Sequence, residues 1–173
     1  MSTKTIKSYE NNTDLPKLKI YPNPVLRVQS LSLNRLTDCD KKILDLMVTT
    51  MHANQGIGLA APQIGITKRM FVLDKGSGVL KMINPEIVSK SGNCSMEEGC
   101  LSVPKKTVEV SRAEVISVSF FDDQYKKQQK EYSAITARAI QHEIDHLDGK
   151  LIIDYLPWFK RLFTRKRRPE FTQ

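Results

Sequence analysis

Two histidines four residues apart, with a glutamate directly after the first, constrain this chain more than any other feature in it. They stand in the run His142-Glu143-Ile144-Asp145-His146. On a helix, residues i and i+4 share a face, so both imidazoles can meet one metal ion. Glu143 then lies where a carboxylate can reach a metal-bound water as a base. Ile140, Ile144 and Leu147 add an apolar stripe beside the histidines, which predicts a partly sheltered helix at the centre of a fold. Its start is expected at Ser133 or Thr136 and its end near Gly149.

The remaining pattern supplies elements to pack around that helix. Ile43, Leu44, Met47, Val48 and Met51 recur at helical spacing behind Thr37 or Asp38, either of which can cap. Strand-like runs cover 69–74, 80–88, 107–110 and 114–122, and a turn at Asp122-Asp123-Gln124 leads into a polar return strand over 125–132. The segment 56–65, Gly-Ile-Gly-Leu-Ala-Ala-Pro-Gln-Ile-Gly, reads as a loop, and Pro16, Pro22 and Pro24 argue for an extended lead-in. The sum is an α+β fold, antiparallel strands around a central helix. A length of 173 residues suits one domain. The expected division is a single catalytic domain over 1–156 with a polar N-terminal lead-in, followed by a basic C-terminal tail over 157–173.

Composition excludes several classes. No run approaches the ~18 apolar residues of a transmembrane helix, and the first residues show no apolar h-region. Cys39, Cys94 and Cys100 are too few for a disulfide framework and odd in number, which fits a reducing compartment; the expected localisation is cytoplasmic. Lys and Arg number 27 against 19 Asp and Glu, a net charge of +8. Half of that excess lies in residues 151–173, where Lys160, Arg161, Arg165, Lys166, Arg167 and Arg168 face only Asp154 and Glu170. Three readings fit such a tail: a solvated charge run, an amphipathic helix on an anionic membrane, or an RNA contact.

A catalytic site of this type needs a third protein ligand and an open position. No histidine follows His146, the only later glutamate is Glu170, and His52 closes the other helix among polar neighbours as an expected exposed residue. The cysteines are better candidates. Cys100 lies in a short mixed turn bracketed by Gly99 and Pro104, whereas Cys39 precedes a helix and Cys94 sits in a polar loop, both reading as incidental thiols. A metalloprotease cutting internal bonds and a basic RNA-binding module with a structural metal remain alternatives on these residues alone.

Three segments together resemble the peptide deformylase family: Gly56-Ile57-Gly58-Leu59-Ala60-Ala61-Pro62-Gln63, Glu98-Gly99-Cys100-Leu101-Ser102 and Gln141-His142-Glu143-Ile144-Asp145-His146. They stand in the family's order, within a region of about residues 20–156. The resemblance implies a metal-dependent hydrolase removing the formyl group from the N-terminal formylmethionine of nascent polypeptides. Carried over by position, Cys100, His142 and His146 hold the metal and Glu143 is the catalytic acid/base. Gln63 and the Leu101 backbone N–H stabilise the oxyanion, Gly58 holds the substrate main chain, and Ile57, Met96, Ile135 and Ala139 form the methionine pocket. Thiolate and imidazole suit Zn(II) or Fe(II); the family points to Fe(II), with Zn, Ni or Co in a purified sample. It also makes the basic tail a candidate ribosome contact. One departure stands out: many members carry an arginine three positions after the proline matching Pro104, where this chain has Lys105-Lys106-Thr107.

Overall fold

The computed structural model describes residues 15–76 and 78–160. The first long helix, α1 (Asp38–Ala53), begins at Thr37 in a reciprocal cap. The Asp40 N–H donates to Thr37 Oγ1 at 3.2 Å and the Thr37 N–H to Asp40 Oδ2 at 3.0 Å, so two otherwise orphaned donors are satisfied. Its buried face carries Ile43, Leu44, Met47 and Met51.

Among the described residues seven strands follow: β1 (Gly58–Ala60), β2 (Met70–Leu73), β3 (Leu80–Ser91), β4 (Cys94–Gly99), β5 (Thr107–Arg112), β6 (Val115–Phe121) and β7 (Lys127–Ser133). β1-β2-β3-β6-β7 form one sheet and β4-β5 a separate pair, every ladder antiparallel. The second long helix, α2 (Ala134–Leu147), bears the two histidines.

β2 shows why the helices lie where they do. Successive side chains of a strand point to opposite faces. Met70 and Val72 pack with α1 residues Leu44, Met47 and Met51, while Phe71 and Leu73 pack with α2 residues Ala137, Ile140 and Leu147. An all-apolar strand is thus buried on both faces, one helix on each side. A third cluster, Leu26, Val103, Val108, Val110 and Leu151–Ile153, fastens the small sheet to the chain after α2. That helix stops at Gly149, in the left-handed region at φ +72°, where a Cβ would stand 2.8 Å from the Arg27 carbonyl oxygen. Only glycine satisfies both demands.

Several boundaries differ from expectation. The 56–65 segment contains β1 and a 3₁₀ turn, Ala61–Ile64, because its small residues let it pair antiparallel with β2. Cys94 begins a strand instead of lying in a loop; the run to Gly99 alternates too little to read as one, yet it pairs in register with β5, Cys94 opposite Arg112. β3 extends past the expected 88 to Ser91 and pairs with β2 through its first residues and with β6 through the rest. The apolar run after α2 forms a 3₁₀ turn, Ile152–Tyr155. His52 is exposed as expected but paired, its Nε2 lying 3.1 Å from Asp74 Oδ2. Among the described residues no helix is long and apolar enough to cross a membrane. Residues 161–173, with most of the basic tail, lie outside the described residues, as does Ser77.

Candidate metal centre and its cleft

α2 presents Arg138, His142 and His146 at four-residue intervals on one face, against the end of β4. There the strand runs out at Gly99 and the chain turns, bringing Cys100 Sγ to 3.1 Å from His146 Nε2. One ligand atom from each of Cys100, His142 and His146 lies within 4.8 Å of the others. Such a trio can close on a single ion at the usual ligand distances of about 2.0–2.3 Å. The donor set fits a metal chemically, since thiolate and imidazole both bind Zn(II) and Fe(II).

Each imidazole has a distinct environment. His142 Nδ1 donates to Glu98 Oε2 at 3.0 Å, which leaves Nε2 free to face a metal. Burial works to lower its pKa, but Cys100 and Glu98 beside it push it up to about 10, so uptake of a metal would release a proton. His146 is 1% exposed, and burial together with the neighbouring His142 pulls its pKa well down, keeping the ring neutral. Its Nδ1 is buried with no protein partner among the described residues.

Glu98 is the hub beneath the ligands. It takes Arg112 Nε at 2.6 Å and Nη2 at 2.9 Å, together with Arg138 Nη1 at 2.6 Å. Burial opposes its ionisation, yet His142 and Arg112 hold its pKa down at about 2. Arg112 also reaches Asp145 Oδ2 at 2.8 Å, to which the Tyr155 hydroxyl donates at 2.8 Å. Arg138 donates to the Val110 and Cys94 carbonyls. Two guanidiniums, 5% and 6% exposed, are thereby neutralised inside the fold.

Glu143 is 4% exposed and faces β1. A Cβ built on Gly58 would stand 2.3 Å from Glu143 Oε1, so the carboxylate occupies the space a side chain would take. Burial pushes its pKa up to about 7, and Oε2 has no protein partner among the described residues. A carboxyl group with that pKa can take and return a proton near neutrality.

Gln63 comes from the 3₁₀ turn after β1. Its Oε1 accepts the Ala60 N–H at 2.7 Å, which fixes the amide so that Nε2 points at Ser102 Oγ, 3.2 Å away, and toward Cys100 Sγ at 3.9 Å. Leu101, next to Cys100, offers a backbone N–H that donates to no other described residue. Gly58, Gln63, Cys100, Leu101, His142 and Glu143 line a cleft of about 630 Å³. Ile57, Met96 and Ile135 line it at 44–48% exposure, and Ala139, 7% exposed, lies beside them. Large apolar side chains left that open belong to a cleft wall and not to the core.

Residues 16–161 match the profile of the polypeptide deformylase family. The chain belongs to that family. A peptide deformylase from Nitrosococcus oceani is 43% identical over 150 residues, 85% of this chain and 90% of the relative. One from Thermotoga sp. strain RQ2 is 40% identical over 152 residues, 87% and 93%. The crystal structure of the Thermotoga maritima peptide deformylase superposes with a TM-score of 0.81 at 38% identity, covering 83% of this chain and 99% of that one. The Synechococcus elongatus enzyme, solved in complex with actinonin, gives 0.82 at 35% identity over 88% and 85%. Removal of the formyl group from the N-terminus of new polypeptides, a metal-dependent hydrolysis, is the activity that goes with this membership.

Cys100, His142, Glu143 and Gln63, singled out from sequence, line this cleft together with Gly58 and Leu101, and His146 stands beside Cys100 and His142. Sequence reasoning missed Arg112, Arg138 and Asp145 and gave no role to Glu98 or Ser102. One signal was available: Arg138 occupies the same helical face as the histidines, where a charge must find a buried partner.

Proposed function

We propose that Cys100, His142 and His146 bind one Fe(II) ion, with Zn, Ni or Co able to replace it, and that residues 1–156 form the catalytic domain around it. The observation that carries this reading is the convergence of three ligand atoms within 4.8 Å beside a buried carboxylate. When bound, such an ion supplies Lewis acidity, lowering the pKa of a water and polarising the formyl carbonyl.

The residues around it divide the remaining work. Glu143 accepts a proton from the attacking water at its carboxylate and delivers it to the peptide nitrogen, which leaves as an amine. Gln63 Nε2, aimed by the Ala60 N–H at its other end, donates to the formyl oxygen as that oxygen gains charge, together with the Leu101 N–H. Losing one such donor typically costs about 2.7–4 kcal/mol in the barrier. Gly58 offers backbone groups to the substrate main chain. Ile57, Met96, Ile135 and Ala139 receive the methionine side chain, an unbranched thioether that fits an irregular apolar slot.

The substrates are N-formylmethionyl nascent chains in the cytoplasm, and the basic tail over 157–173 is the segment proposed to touch the ribosome. Anaerobic protein loaded with Fe(II) should release formate from a formyl-Met-Ala peptide and leave internal peptide bonds intact. Cleavage of internal bonds without formate release would favour a metalloprotease instead.

A further inference from the structure

The cleft has a charged lip with no role in the chemistry above. Its charged wall residues are Glu97, Glu98, Lys105, Lys106, Arg138, His142 and Glu143. Four of them are committed to one another or to the centre: Glu98 with Arg138 and His142, and Glu143 beside Gly58. The exposed charges that remain are Lys105, Lys106 and Glu97. Neither lysine has an ion-pair partner among the described residues. Glu97, opposite Glu109 on the neighbouring strand, is the one exposed carboxylate among these wall residues, and the two lysines outnumber it.

The two lysines follow the Cys100–Pro104 turn, downstream of the metal ligand and of Leu101. Lys105 holds φ +61°, a left-handed conformation that fixes where the pair leaves the turn. With the formyl group at Cys100, His142 and His146 and the methionine among Ile57, Met96 and Ile135, the residues after the methionine lie in the rest of the same cleft, whose wall includes Lys105, Lys106 and Thr107.

Resting on the deformylase reading, we propose that Lys105 and Lys106 select formylated peptides carrying acidic side chains in the two or three residues after the methionine. The lysines act from the rim, through long flexible stems in water, so the selection is electrostatic and screened by salt.

The test uses Fe(II)-loaded, full-length protein and two C-terminally amidated peptides, formyl-Met-Ala-Asp-Asp and formyl-Met-Ala-Lys-Lys, so that no terminal carboxylate confounds the comparison. At an ionic strength of about 0.01 M the ratio of kcat/KM values should favour the acidic peptide about three- to tenfold, and it should fall toward one at about 0.5 M. In the Lys105→Asn/Lys106→Glu double variant, where Asn tolerates the left-handed φ, the ratio should invert, carried by KM with little change in kcat. A parent ratio within twofold of one at low salt, or an unaltered ratio in the double variant, overturns the proposal. Absence of formate from both peptides would instead overturn the deformylase reading on which it stands.

Discussion

Glu98→Gln separates a structural hub from a bystander. The substitution keeps the volume and one carbonyl oxygen of a side chain that is 7% exposed, and removes the negative charge shared by Arg112, Arg138 and His142. Breaking a buried pair typically costs 3–5 kcal/mol because the surviving charge stays buried. Here Arg112 retains Asp145, and Arg138 retains the carbonyls of Val110 and Cys94, which places the loss at the lower end, about 3 kcal/mol. For a urea slope of about 2 kcal/mol/M the midpoint should fall by about 1.5 M. Glu97→Gln, the exposed neighbour on the same strand, should stay within about 0.5 kcal/mol of the parent. Equilibrium urea unfolding of the three metal-free proteins reads both. A Glu98→Gln loss below about 1 kcal/mol would refute the view that this carboxylate neutralises two buried guanidiniums.

Two further outcomes follow from local geometry. In Gly58→Ala the new Cβ would meet Glu143 Oε1 at 2.3 Å, so the carboxylate must move by about 1 Å, enough to lower kcat on a formyl peptide about 100-fold; parental kcat would contradict this. Burial alone would raise the pKa of Asp40, but Lys68 and Thr37 more than offset it and hold it below the ordinary value of 3.8. Its stabilisation is therefore present above about pH 3.8 and lost as the pH falls through the lower folded value. Asp40→Asn should lower stability at neutral pH, and urea unfolding against pH should show that gap closing in acid; a constant gap would contradict the assignment.

The parts of the fold readable beforehand were those with strong local period. The face of α1, the 3.6-residue spacing of α2 and the alternation in β6 each announce themselves. β1 and β4 do not. Gly58–Ala60 is too short and small to alternate, and β4 is exposed apart from Glu98, so its pairing with β5 is set by tertiary context. The candidate ligands His142 and His146 were legible because their spacing is itself a geometric statement, whereas Cys100 was singled out through the family resemblance. Arg112 was not, since its partners Glu98 and Asp145 lie 14 and 33 residues away along the chain. That arginine ends a strand whose pattern predicts only that it faces inward.

The most direct test of the centre is metal content per chain, measured on protein expressed and purified anaerobically with Fe(II), for the parent, Cys100→Ala and Glu143→Ala. Close to one metal per chain is predicted for the parent and for Glu143→Ala, whose carboxylate serves the reaction and not the ion, and close to none for Cys100→Ala. Full occupancy in a folded Cys100→Ala protein would contradict the three-residue centre on which the account rests.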